Sequence, residues 1–269
     1  MAELIPPDLT VLDRVALSWF LVAWLGYSLA IHASPWGGSI TARMNDVRRA
    51  WMRTMLARDN RITDASLIGH TVHSATFFAS TTMVALAAVL GMLGALDRSV
   101  AARDALAFTA KSQGDLRGAK TSRMLAEAKL LVLVFAHTFL KLSWALRQLN
   151  YCLALLGAVP VKLGPHERDG IAGPIATVLS LAIRSFNAGI RGYLFALAVL
   201  AWLLGPGAFL LATTGMVMML WRQFGSATAA AIRRSHAVLA GALPVSTERA
   251  CSATDLDGQG RTIALQGRP

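Results

Sequence analysis

Charge is what this sequence has least of. Only 15% of its 269 residues are Asp, Glu, Lys or Arg, against roughly 25% in an ordinary soluble domain. Acids are the scarcer sign: 15 Asp plus Glu stand against 26 Lys plus Arg, a formal net charge of +11. Cysteine is nearly absent as well. Cys152 sits in an apolar run and Cys251 in the polar tail, so no disulfide framework is available. No internal repeat occurs, and the glycine pairs of "GGSI" and "GPG" lack the spacing of a phosphate-binding loop. There is no nucleophile motif, and no paired carboxylates stand in the apolar runs. Hydrolytic chemistry is therefore left without its groups, and the residues lean away from an enzyme.

Long hydrophobic runs are what the chain does have. Hydrophobic residues make up 55% of it, and its mean hydropathy is +0.50. Four stretches each reach the roughly 17–25 residues a helix needs to cross ~30 Å of hydrocarbon. They are "VALSWFLVAWLGYSLAIHA" (15–33) and the segments 66–96, 126–159 and 192–220. In lipid, helices satisfy their own backbone hydrogen bonds. The expectation is an all-α integral membrane bundle of four transmembrane helices, filling residues 1–239, with a disordered polar tail over 240–269. The first stretch has an acidic flank (Glu3, Asp8, Asp13), unlike a cleaved signal. In the fourth, Gly205-Pro206-Gly207 predicts a kink. Four spans put both termini on one side. Lysine and arginine divide too evenly between the sides for the positive-inside rule to orient the chain.

The loops carry their own pattern. In "RMNDVRRAWMRTMLARDNRITD", Met44, Val47, Trp51, Met55 and Leu56 share one helical face and Arg48, Arg49 and Arg53 fill much of the rest. That predicts an amphipathic interfacial helix, with Arg48, Arg49, Trp51 and Arg53 toward lipid headgroups; a helix docked on the spans fits the same pattern. The loop 97–124, with "KSQGDLRGAKTSR", is predicted polar and mobile. A pI of about 10.8 in so apolar a chain points to anionic headgroups as partners rather than nucleic acid.

Counting ~1.5 Å per residue gathers the polar residues of the spans toward the side bearing the first and third loops. His70 and His73 lie in the second span, in "HTVHSATFFASTT". His137, Lys141, Trp144, Gln148 and Tyr151 form a stripe at i, i+4, i+7, i+11 and i+14 in the third, with Arg147 and Asn150 at its edge. Asn187 and Arg191 stand at the entrance of the fourth. Polar stripes in a span normally point inward, because exposure to lipid is costly. His70, His73, His137, Lys141, Arg147, Gln148, Asn150, Asn187 and Arg191 are therefore expected to line a vestibule open to one side, sealed by the apolar half "MVALAAVLGMLGAL".

The strings "RRAWMRTMLARDNRITDASLIG", "KLSWALRQLNYCLALLGAVP" and "SFNAGIRGYLFALAVLAWLLGP" with "WRQFGS" resemble the uncharacterised membrane family catalogued as domain of unknown function 599, over about residues 10 to 235. The resemblance implies a four-span integral membrane protein of bacteria and plants, and the expected location is a bacterial inner (cytoplasmic) membrane. It implies no activity and no cofactor. The matching strings include Arg49, Trp51, Asp64, Trp144, Arg147, Gln148, Asn150, Tyr151, Asn187 and Arg191.

Several readings stay open at this point. Histidine, serine and threonine glue membrane helices together without binding anything. A vestibule holding Arg147, Lys141 and Arg191 suits a small anionic ligand or lipid headgroup, unless Asp64 pairs with Arg61 or Arg147 and quenches the field. Histidines on two helices of a bundle suit haem b, through His73 and His137. A metal on His70, His73 and His137 lacks a carboxylate or thiol nearby. An assembly role, with a second copy or another membrane-complex partner, fits the arginine-rich first loop.

Overall fold

A computed structural model describes residues 9–33, 35–106, 114–161, 164–224 and 227–242. All of the regular structure in them is helical. The helices are α1 (Val11–Ala33), α2 (Pro35–Ala57), α3 (Ile62–Leu106), α4 (Gly114–Ala158), α5 (Pro165–Leu200), α6 (Pro206–Phe224) and α7 (Ala227–Ala242). A 3₁₀ turn (Ala201–Leu204) links α5 to α6. The tail from residue 243 lies outside the described residues.

α3 and α4 each run for 45 residues, about 67 Å at 1.5 Å per residue. Residues 97–106 and 114–124 are therefore helical extensions of α3 and α4, which corrects the mobile-loop expectation there. Neither segment holds a proline, and most of their residues are tolerated in a helix, with alanine frequent in the first and leucine, lysine, arginine and methionine in the second; residues 107–113 lie outside the described residues. α5 begins on Pro165, a residue suited to the first helical position, and Glu167 accepts the Gly164 amide at 3.0 Å.

Two cores stack end to end along α4 and α5. In one, Phe20, Phe195, Trp202 and Phe209 pack with Leu130, Leu131 and Val134. In the other, Met52, Met55, Leu56, Ile68, Leu149, Cys152, Ile175 and Leu179 form the interior. α2 belongs to this second core, held to α5 by Arg53 on Asp169 (3.0 Å) and by Arg48 on Ser180 (3.4 Å). Its apolar face is thus docked on the bundle, the second of the two placements that its pattern allows.

The fourth apolar stretch does not form one kinked span. Phe20 touches Phe195 at 5.8 Å and Phe209 at 5.3 Å, ring to ring. In a continuous helix those two residues would stand about 21 Å apart. The chain reverses instead: α5 ends, the 3₁₀ turn follows, and Gly205 takes φ +128°, a left-handed value that only glycine adopts freely. Pro206 then opens α6. α6 carries the chain back to the end where α2 lies, and there α7 docks with His236 3.2 Å from Asp46. α1 starts at the other end, with Asp13 on Trp202. The described ends of the chain therefore lie at opposite ends of the bundle. We refer to these as the reversal end and the α2 end.

α4 and α5 approach closely between the two cores. Gly192 lies against the Thr138 hydroxyl and Gly189 against Leu142, where a Cβ would have no room. Small residues one turn apart let two backbones meet in this way.

Candidate functional site

Only some of the predicted site residues come together. His70 and His73 are exposed. The inner stripe of α3 is Ile68, Ala75, Ala79 and Thr82, and His73 stands about 140° around the helix from Ile68. The polar stripe of α4 is also rotated off the interior. Thr138, Leu142, Ala145, Leu149 and Cys152 face inward. His137, Lys141, Trp144 and Tyr151 are exposed and Gln148 is half-buried, about 100° away. Arg147, Asn150 and Asn187 are exposed as well. The structure thus gives an exposed flank in place of the expected vestibule open to one side and sealed at the other. His70, His73 and His137 are not brought together. Among the described residues no group of three or more His, Cys, Asp or Glu could hold a metal ion.

What does converge is a cationic flank formed by α1, α4 and α5. Trp24 of α1 packs edge-on against the His137 ring at 5.4 Å. One turn along α1, Tyr27 lies beside Arg191 of α5. Lys141 lies one turn from His137 on α4, close enough to act on it. Gln148 accepts a hydrogen bond from Ser185 of α5 at 3.1 Å. Arg191 also closes a stripe on α5 that the sequence reading missed: Ser180, Arg184, Asn187 and Arg191 at i, i+4, i+7 and i+11. The spacing itself was the available signal. At the far end of this stripe, Arg48 reaches Ser180 and Asn45 (3.1 Å), both neutral. Burial there pushes the Arg48 pKa below its ordinary value, and the guanidinium keeps its charge.

The acids near the α2 end are engaged elsewhere. Asp64 pairs with Arg58 at 2.9 Å and accepts the Trp51 indole N–H at 2.8 Å. Arg61 donates to the Val159 and Pro160 carbonyls, each at 3.0 Å, which satisfies the end of α4. Asp46 and Asp169 hold His236 and Arg53. Among the described residues no carboxylate reaches ion-pair distance of Lys141, Arg147, Arg184 or Arg191.

Asp64 is 1% exposed. Its replacement by alanine strands the Trp51 indole and leaves the half-exposed Arg58 to water. Asp64→Ala is expected to cost about 2 kcal/mol, and Asp64→Asn less, because one acceptor remains. Thermal unfolding of the purified proteins in detergent measures both. Equal melting temperatures for Asp64→Ala and the unmodified protein would contradict this.

The opposite, reversal end is polar in a different way. Asp13 is buried and takes the Trp202 indole N–H at 2.8 Å and the Thr10 hydroxyl at 2.6 Å. Glu127 is buried beside the same turn. In mid-bundle, Tyr193 donates to the Phe78 carbonyl at 3.1 Å and lies 2.9 Å from the Thr82 hydroxyl.

A family model described as "Protein of unknown function, DUF599" matches residues 15–227. No curated protein and no solved structure matches the chain.

Proposed function

The chain belongs to the DUF599 family, and on that premise we propose that it is a multi-pass membrane protein that binds a small anionic ligand or lipid headgroup on the α1–α4–α5 flank. Among the described residues, two helices are long and apolar enough to cross a membrane, within Ile62–Ala102 and Pro165–Leu204. Residues 65–96, 192–221 and 15–42 hold no Asp, Glu, Lys or Arg. Large apolar side chains are exposed around the core at the reversal end: Val22 on α1, Met83, Val84 and Leu90 on α3, Leu197 on α5, Leu211 and Met218 on α6. Contiguous exposure of this kind suits lipid rather than water. From Arg184 to Leu204 the chain rises about 30 Å, the thickness of a hydrocarbon layer. Trp144 and Trp221, both exposed, stand at the α2 side of that layer, where interfacial tryptophans anchor helices.

This reading gives five crossings: α1, the later half of α3, the first half of α4, the later half of α5, and α6. The second core then projects beyond the layer, with α2 and α7 packed on it. His70 and His73 belong to that projecting part, which accounts for polar residues facing outward.

The observation that carries the binding reading is the row Lys141, Arg191 and Arg184, with no acid at ion-pair distance among the described residues. Arginine presents a planar donor fork to phosphate or carboxylate, and a charge left unpaired near lipid is retained at a cost. Native mass spectrometry of detergent-purified protein tests this. A phosphatidylglycerol adduct is expected on the unmodified protein and reduced about tenfold in Lys141→Ala and Arg191→Ala, as the loss of one charged hydrogen bond implies. Inorganic phosphate that displaces the lipid would point to a soluble anion at the same groups. Unchanged adducts in both variants overturn the reading.

A further inference from the structure

The reversal end holds a group that the anion flank does not use. Glu127 is 2% exposed, and neither of its carboxylate oxygens has a hydrogen-bond partner among the described residues. The fold treats its neighbour Asp13 differently, giving each oxygen a donor. The two acids flank one turn: Asp13 holds Trp202, and Glu127 lies beside the Leu203 amide without reaching hydrogen-bond geometry. Arg123, one turn back on α4, acts on Glu127 through space and donates no hydrogen bond to it.

A bare carboxylate buried in this way costs several kcal/mol or more, and buried charges are ordinarily paired or neutralised. Arg123 acts only through space and makes no hydrogen bond to the carboxylate, so direct neutralisation falls to a metal ion or a proton on its oxygens. A hard cation takes six or so oxygen ligands. The surroundings do not offer them. Residues 79–96 of α3 and 206–221 of α6 hold no ionisable group, and no metal-holding group of His, Cys, Asp or Glu occurs among the described residues. Among the described residues, the charged groups toward this end are Asp13 and Arg14 on α1, the exposed Asp97 and Arg98 on α3, and Arg123 and Lys129 on α4. Asp13 is already bonded, and Lys129 is half-buried two residues along, on another face of the helix. A proton needs one oxygen and no coordination shell.

We infer that Glu127 is a proton-binding site, held as a neutral acid beside the turn where α5 reverses into α6. Ionisable groups inside membrane bundles serve as proton carriers in just such settings. Release of the proton leaves an anion for which the Leu203 amide and Arg123 are the donors at hand, so proton occupancy is tied to the position of the turn. The site is independent of the anion flank at the other end.

Infrared spectroscopy of the full chain in detergent near neutral pH tests this, with glutamate carrying a heavy carbon isotope at its side-chain carboxyl. The glutamates are Glu3, Glu127, Glu167 and Glu248. An isotope-shifted carboxylic-acid band is expected, lost in Glu127→Gln while the ionised carboxylate bands stay. Glu127→Asp serves the same assignment should the glutamine variant misfold, since its aspartate is unlabelled. A spectrum with no labelled acid band, or one whose acid band survives both substitutions, overturns the inference.

Discussion

Gly192→Leu is expected to abolish the folded bundle. A Cβ at position 192 would overlap the Thr138 hydroxyl, and at Gly189 it would come within 2.6 Å of Leu142. Neither neighbour has room to yield, since Thr138 and Leu142 are both fully buried. Adding even a few methylenes to a packed interior costs about 1–3 kcal/mol, and a leucine here has to part α4 from α5, the most extensive helix pair in the structure. Gly192→Ala is expected to lower the melting temperature and leave a folded protein. Thr138→Ala in that background should restore part of the loss, because it removes the atoms that collide. Gly91→Ala is the control: nothing lies within 4 Å of a Cβ there, and alanine is the better helix former by about 0.5–1 kcal/mol. Size-exclusion profiles and thermal unfolding read all four. A monodisperse Gly192→Leu protein of unchanged stability would mean that α4 and α5 do not meet at these glycines.

The pair Gly189 and Gly192 was in plain view in "GIRG", yet only the packing gives it meaning. The same holds for much of the site. The apolar runs announce a helical, lipid-suited chain, and the arginine-rich segment announces an amphipathic α2. Lys141, Arg191 and Gln148 do fall on one flank. The inward expectation for His70 and His73 rests on a rule that holds inside a hydrocarbon layer. On the five-crossing reading proposed above, α3 would extend beyond that layer as one unbroken helix, so no local signal marks where water begins. Periodicity could not correct this, because α3 is apolar on nearly every face through residues 75–96. Core and lipid select the same side chains there, and the amphipathic signal fades. The reversal at Gly205 escaped for a related reason. A stretch of 29 residues, 192–220, is long enough for one span with a kink. The better clue was the distance between charges: Arg191 and Arg222 would be about 46 Å apart in a single helix, too far for one layer of ~30 Å. Folded back at Gly205-Pro206, both arginines return to the same side.

That last point carries the most decisive test of the topology. In a background with Cys152 and Cys251 replaced by serine, single cysteines at Val161, Leu204 and Arg234 are expected to react with a membrane-impermeant maleimide from different sides. Val161 follows α4 and Leu204 lies in the turn; both are exposed, at 61% and 85%. Arg234 is exposed on α7. With α6 as a fifth crossing, Val161→Cys and Arg234→Cys label from one side and Leu204→Cys from the other. With a single kinked span over 192–220, Arg234→Cys would label opposite to Val161→Cys, and Leu204→Cys would sit in mid-membrane and not label. The difference is all-or-none, because a position on the far face reacts only after the membrane is opened. The reason to expect the first pattern is energetic as well as geometric. Phe209 stacks on Trp202 at 5.0 Å, and Trp202 in turn gives its indole N–H to Asp13. Straightening the chain at Gly205 would strip a fully buried indole of its stacking partner and open a buried carboxylate to lipid, which exceeds what a continuous helix could return.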